Sequence, residues 1–163
     1  MTVAQPLKRQ PIDLNHLVDE AAVDFLDSAT RKSQRISLAQ TVEPLLVQGD
    51  GVLLKKALDN LLSNALKYTQ SGGDVIIGTQ QDEDECVVFV QDTGSGIHPD
   101  EIGQLFQPFQ RLSSAGDEYG TGLGLSLVKL IVERHFGRVS VESVLGTGSI
   151  FRIHLPAAHE PLD

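Results

Sequence analysis

The stretch that most constrains this chain is "GVLLKKALDNLLSNALKY", residues 51–68. Asp50 stands before it as an N-cap, and "TQSGGD" breaks it afterwards. On a wheel advancing about 100° per residue, Leu54, Leu58, Leu61, Leu62 and Ala65 form one apolar stripe. Asn60, Asn64, Lys67 and Tyr68 share an arc of roughly 100° at its margin. A helix so built must lie on an apolar surface, and the next two segments of the chain supply one. "DVIIGTQ" and "CVVFVQD" read as strands joined by the charged turn "QDEDE".

The rest of the chain repeats this mixture. Asp13 precedes a periodic stretch (Leu14, Leu17, Val18, Ala21, Ala22, Phe25) that predicts a helix over about 13–32. "RISLAQ" and "PLLVQG" read as short strands, and "HPDEIGQLFQPFQRL" as a short helix or two. "SSAGDEYGT" is a loop without apolar anchors, and "GLGLSLVKLIVERHF" is a second strong helix with Gly137 as its expected C-cap. "RVSVESV", "LGTGS" and "IFRIHLP" form a terminal hairpin. The expected class is α+β: a two-layer sandwich, with helices on one face of a mixed, mainly antiparallel sheet. Residues 1–10 read as a linker, 11–156 as one domain and 157–163 as a tail.

Charge narrows the partners. Thirteen Lys and Arg face 22 Asp and Glu, a net charge of −9. No basic stripe offers itself to nucleic acid or an anionic membrane. A polyanion such as ATP remains possible where cations are placed locally, Mg²⁺ above all. One cysteine, Cys86, excludes an internal disulfide and any multi-cysteine metal site. Without an 18-residue apolar run or a signal-like N-terminus, the segment is expected to be soluble and cytoplasmic. A longer parent with membrane spans elsewhere is compatible with this.

Three clusters carry chemistry. Two Asn at i and i+4 on a buried margin are mediocre helix formers, so they need a reason; a solvated polar face is the other reading. An Asn oxygen is a hard, neutral ligand for Mg²⁺, and Lys67 is a point charge for phosphate. "QDTGSGI" ends a buried strand. Asp92, an acceptor only, can read an amino group such as adenine's. Gly94 and Gly96 are expected to let backbone approach a flat base. A plain Asp-Thr-Gly turn and half an aspartic-protease dyad are the alternatives, and no second Asp-Thr-Gly is present. "GTGLG" (Gly120, Gly122, Gly124) follows a polar loop rather than a strand, so it is not a dinucleotide fingerprint, and no P-loop Lys follows. A glycine loop opening a helix presents N–H groups to an anion; a hinge before a core helix is the other reading.

Taken in order, "DNLLSNALKY", "DTGSGI", "LFQPFQR", "GTGLGL" and "GTGS" resemble the catalytic ATP-binding domain of sensor histidine kinases, over about residues 11–156. That domain shares a superfamily with gyrase, the heat-shock chaperone and the mismatch-repair ATPases. The resemblance implies ATP and Mg²⁺ as ligands. It makes Asn60 and Asn64 the asparagine motif, with Asn64 on the metal, Lys67 on phosphate and Tyr68 beside the nucleotide. Asp92 would take the adenine amine, with Gly94, Gly96 and Ile97 shaping the base pocket. Phe106 and Phe109 would anchor a mobile lid. Arg111 would face the γ-phosphate. Gly120, Thr121, Gly122, Leu123 and Gly124 would close over the triphosphate, and Thr147 would line the adenine pocket.

Superfamily members that hydrolyse ATP usually carry Glu where this chain has Asn60. An amide cannot take a proton from water, so the resemblance favours transfer to a histidine. It also implies partners: a histidine-containing dimerisation domain of the same parent, and a response regulator receiver domain downstream. His16, His98, His135, His154 and His159 do not fit the phosphoacceptor and read as structural or surface residues. One departure is the short lid with Asp117 and Glu118, whose charges would repel a triphosphate unless turned outward. A regulatory or degenerate ATP/ADP-binding module and an anti-sigma-type serine kinase remain as alternatives.

Overall fold

The computed structural model describes residues 6–107 and 124–158. Strand β1 (Gln10–Asp13) leads into helix α1 (Leu14–Arg31), then β2 (Arg35–Ala39), β3 (Leu46–Gly49) and helix α2 (Gly51–Tyr68). The hairpin β4 (Asp74–Asp82) and β5 (Glu85–Asp92) comes next, then the single turn α3 (Pro99–Ile102), helix α4 (Gly124–Arg134) and the hairpin β6 (Arg138–Val144) and β7 (Gly148–Pro156). The main sheet runs β2-β4-β5-β7-β6, parallel only at β2-β4. β1 and β3 form a separate antiparallel pair. The α+β sandwich expected from the sequence is the one observed.

Register explains where the core lies. Ile77, Val90, Phe151 and Val141 stand opposite one another across four strands, and so do Thr79, Val88, Ile153 and Val139. Side chains alternate along a strand, so these rows share one face. α1, α2 and α4 pack on that face. The stripe of α2 is buried as its spacing requires: Leu54, Leu58, Leu61, Leu62 and Ala65 are all at most 4% exposed. Fully burying each leucine is worth about 1.5–3 kcal/mol, which holds a helix of modest propensity in place. Asp50 caps it, its carboxylate accepting from the Leu53 N–H at 3.2 Å.

The boundaries reach further than composition suggests. Lys8 donates its backbone N–H to Asp50 at 3.2 Å, and the Arg9 guanidinium donates to the Arg134 carbonyl at 3.1 Å. Gln10, read as linker, pairs with Gly49. Past the last strand, the N–H groups of Ala157 and Ala158 bond the carbonyls of Asp84 and Leu46. Backbone pairing, invisible to a composition test, extends the folded unit both ways. Among the described residues no helix is long and apolar enough to cross a membrane.

One expectation fails in detail. α4 ends in a Schellman motif, with the N–H groups of Phe136 and Gly137 bonding the carbonyls of Glu133 and Val132. The left-handed residue is Phe136 (φ 63°), not Gly137. Gly137 is needed for space: a Cβ there would run into the His154 carbonyl on β7. Phe136 is tolerated where a glycine is usual while the Arg9 guanidinium sits 4.8 Å from its ring centroid.

His135 joins the two helices at this end. Its Nδ1–H donates to the Ile131 carbonyl (2.7 Å), and its Nε2 accepts from the Asp50 N–H (3.0 Å). Both nitrogens are used only in the neutral ring. Burial holds its pKa below the ordinary value; Arg9 and Arg134 push the same way, against the Ile131 carbonyl and Asp50.

The end of α4 yields two expected outcomes. Gly137→Ala should destabilise by about 1–3 kcal/mol through overlap with β7, whereas Phe136→Gly should change stability by less than about 1 kcal/mol, since backbone relief and the lost Arg9 contact oppose; urea unfolding measures both. His135 protonates near pH 6.5 only when unfolded, so its contribution is complete above about 6.5 and is lost as pH falls below it. The urea midpoint should therefore drop between about pH 7.5 and 5.5, and His135→Gln should flatten that drop.

Candidate functional site

The last row on the helix-facing side of the sheet is polar. Val75 stands opposite Asp92, Asp92 opposite Ser149, and Ser149 opposite Ser143. Asp92 ends β5 with 6% exposure. Its Oδ1 accepts from the Gly94 N–H at 2.9 Å, and the Ser149 N–H also bonds its carboxylate. Burial nonetheless raises its pKa above the ordinary range; those two N–H groups only partly offset it. A carboxylate held this way gains from any further N–H donor brought to it.

Asp92 lines a small enclosed cavity with Asn64, Tyr68, Gly96, Ile97, Ser149 and Phe151. α2 delivers Asn64 and Tyr68 from one edge of its stripe, as the wheel predicts. The loop after β5 delivers Gly96 and Ile97. Its conformation is pinned from both sides: the Ser95 N–H bonds the Tyr68 carbonyl at 3.3 Å, and the Ile97 N–H bonds Ser143 Oγ at 2.8 Å. Ser143 Oγ also lies 2.8 Å from Ser149 Oγ.

The glycines meet a packing constraint that the sequence does not announce. A Cβ at Gly94 would meet the Tyr68 carbonyl, and one at Gly96 the Val144 carbonyl. Gly96 also has φ 71°. These residues are small so that the loop can pack between α2 and the β6–β7 hairpin. Gly96 also lines the cavity beside Asp92, so this packing stands alongside the expected approach to a base. Gly148, at φ 145°, is likewise packed on the Asp92 carbonyl.

Asn60 lies one turn before Asn64, and its Nδ2 donates to the Gly124 carbonyl at 3.4 Å. The first described residue of α4 therefore meets the asparagine edge of α2. Lys67 is half-buried on the next turn but is not among the cavity's lining residues. Phe106 is half-buried and meets Phe151 edge to face, centroids 6.3 Å apart. It touches the cavity through Phe151 rather than lining it. Phe109, Arg111, Gly120, Thr121, Gly122 and Leu123 lie outside the described residues.

Thr147 is a miss. It is exposed in the β6–β7 turn, bonded to the Val144 carbonyl, and does not line the cavity. Ser149 and Phe151 do. The signal that could have found them is strand alternation: Ser149 and Phe151 share the parity of buried Ile153 and Leu155, and Thr147 precedes the strand.

A larger open groove of about 660 Å³ lies between β1, α1 and α2 and contains none of the candidate nucleotide-site residues. The small cavity is the better site, because a buried carboxylate, an amide and a phenol converge on it. Among the described residues, no three His, Cys, Asp or Glu side chains cluster as a metal site. A cation here would rely on Asn64 and on oxygens that its ligand brings.

Comparison with known proteins places this arrangement. The family model of the histidine kinase-, DNA gyrase B- and HSP90-like ATPases matches residues 49–159. The sensor histidine kinase RppB of Synechocystis is 36% identical over 151 residues, covering 91% of this chain and 33% of its own length. The mycobacterial sensor histidine kinase MprB superposes with a TM-score of 0.82 at 30% identity, over 91% of this chain and 98% of that one. Full-length ShkA in complex with AMPPNP gives a TM-score of 0.86 at 28% identity, over 99% of this chain and 34% of that one. The chain spans about a third of the length of curated relatives such as RppB. It belongs to the histidine kinase-, DNA gyrase B- and HSP90-like ATPase family, as a catalytic ATP-binding domain of the sensor histidine kinase type.

Proposed function

We propose that this domain binds Mg-ATP with its adenine at Asp92 and transfers the γ-phosphoryl group to a histidine on a separate dimerisation domain of its parent. The observation that carries the proposal is the convergence of Asn64, Tyr68, Asp92 and Ser149 on one cavity, with Asn60 one turn away against α4. The AMPPNP complex of ShkA supports the nucleotide.

Asp92 accepts the adenine amine, which supplies the donor its buried carboxylate lacks. Ser149 and Ile97 hold the base's edge and face, and Tyr68 stands beside it. Asn64 offers a neutral oxygen to Mg²⁺, which when bound neutralises phosphate charge. Lys67 lies one turn further on toward the phosphates. Arg111 facing the γ-phosphate, and Gly120 to Gly124 closing over it, complete the reading. Asn60 cannot serve as a base for water. The nucleophile is an incoming imidazole nitrogen: it bonds to γ-phosphorus, the bond to the β,γ-bridging oxygen breaks, and ADP leaves. The phosphohistidine then serves a response regulator receiver domain.

The direct test joins this domain to its own dimerisation helices and labelled ATP. Label on a histidine supports the proposal; nucleotide binding without label would leave a regulatory module.

Asp92→Asn should abolish ADP binding in calorimetry yet leave the ligand-free domain at least as resistant to heat, because a buried charge is removed. Wild-type affinity should fall on acidification, as Asp92 takes up its proton at a pH above the ordinary carboxylate value of about 4. Asn60→Glu should raise ATP hydrolysis by about tenfold or more, seen as phosphate release.

A further inference from the structure

We propose that Gln34 is a positioning residue for the nucleotide site, bracing the last turn of α2 from the side opposite the cavity. The inference rests on the nucleotide reading of the Asp92 cavity. Gln34 follows α1 and is 5% exposed. Its Nε2 donates to two backbone carbonyls of α2's C-terminal end, Leu66 at 2.8 Å and Thr69 at 2.6 Å. These are among the carbonyls that a helix end leaves without partners. Both amide hydrogens are thereby used. Turning the amide over would set its oxygen against two carbonyl oxygens, so its orientation is fixed.

The arrangement has a cost that packing alone would not require. Among the described residues no donor reaches Gln34 Oε1, though it is buried. A leucine or methionine could fill this volume without the orphan Oε1, but it would take the donors away from the Leu66 and Thr69 carbonyls. What the amide adds is a fixed helix end. The backbone around it is latched too: the Gly72 N–H bonds the Ser33 carbonyl, the Arg35 N–H bonds the Gly73 carbonyl, and Ser71 Oγ bonds the Lys32 carbonyl.

That helix end is the wall of the site. Asn64 and Tyr68 line the cavity from the same turn and a half. The Tyr68 carbonyl receives the Ser95 N–H, and Gly94 is packed on it. α2's last turn is therefore clamped between Gln34 on one side and the Asp92–Gly96 loop on the other. Loosening it would move two lining side chains and the loop that follows the base-reading carboxylate.

The test measures MgADP binding by calorimetry, well below each melting temperature, for Gln34→Met and Gln34→Asn. A control, Leu155→Val, lies at the far end of β7 and is compared at matched urea stability. Gln34→Met should weaken ADP by about tenfold, with Gln34→Asn between it and wild type, while Leu155→Val stays within about twofold; tenfold is about 1.4 kcal/mol of binding. If Gln34→Met does not fold, Gln34→Asn carries the test by itself. ADP affinity equal to wild type in every Gln34 variant that folds would make the residue a structural plug and overturn the proposal. Asp92→Asn, run alongside, separates the two readings: if it binds ADP normally, the assignment of the cavity falls and the brace with it, whereas lost binding there with unchanged Gln34 variants defeats the brace alone.

Discussion

A single carboxylate buried at the end of a sheet organises the functional half of this molecule. Asp92 is placed by register, at the end of a row that is apolar on one side of it and polar on the other: Val75, Asp92, Ser149, Ser143. Burying a charge without full pairing costs several kcal/mol, on the order of the whole net stability of one domain. Around it, therefore, the fold supplies two backbone donors, which offset its burial only in part. The packed loop, the small residues at 94, 96 and 148, and the serine pair on the terminal hairpin all serve to hold that carboxylate in a narrow, enclosed place.

The helices complete the geometry. α2 and α4 are joined at two places: by Asn60, midway along α2, and the Gly124 carbonyl, and by His135 and the Asp50 N–H at the start of α2. Lys8 and Arg9 attach the incoming chain at that second junction. The same helix that gives the core seven buried apolar residues thus presents Asn60, Asn64 and Tyr68 along one edge. Stability and site are two faces of one element, so changes that tilt α2 should be felt in both.

Much of this is legible from residue order. The period of α2 puts Asn64 and Tyr68 on the cavity side without any coordinates, and the Asp50 cap sets the first turn. Alternation and the charged turn define the central hairpin. What local rules could not supply is contact between distant segments. Gly137 looks like a helix terminator, yet its size is set by β7, and Phe136 takes the backbone conformation that glycine usually fills. Gly94 and Gly96 look like space for a ligand, and no local rule says that a Cβ at either would also meet the carbonyls of Tyr68 and Val144. Motif order points to Thr147 rather than Ser149 because it does not say where the strand begins: the two share one parity, but Thr147 lies in the turn before β7. Gln34 carries no sequence signal at all, since its partners are backbone carbonyls 32 and 35 residues away.

The proposed function rests on Asp92 as a buried carboxylate whose charged form a ligand's donor would stabilise. Its titration can be followed directly by carbon NMR of the side-chain carboxyl, with the domain free and then saturated with MgADP. The account requires a pKa above the ordinary aspartate value in the free domain, drawn downward when the adenine amine donates to the charged form. An ordinary pKa that nucleotide leaves unmoved would contradict it.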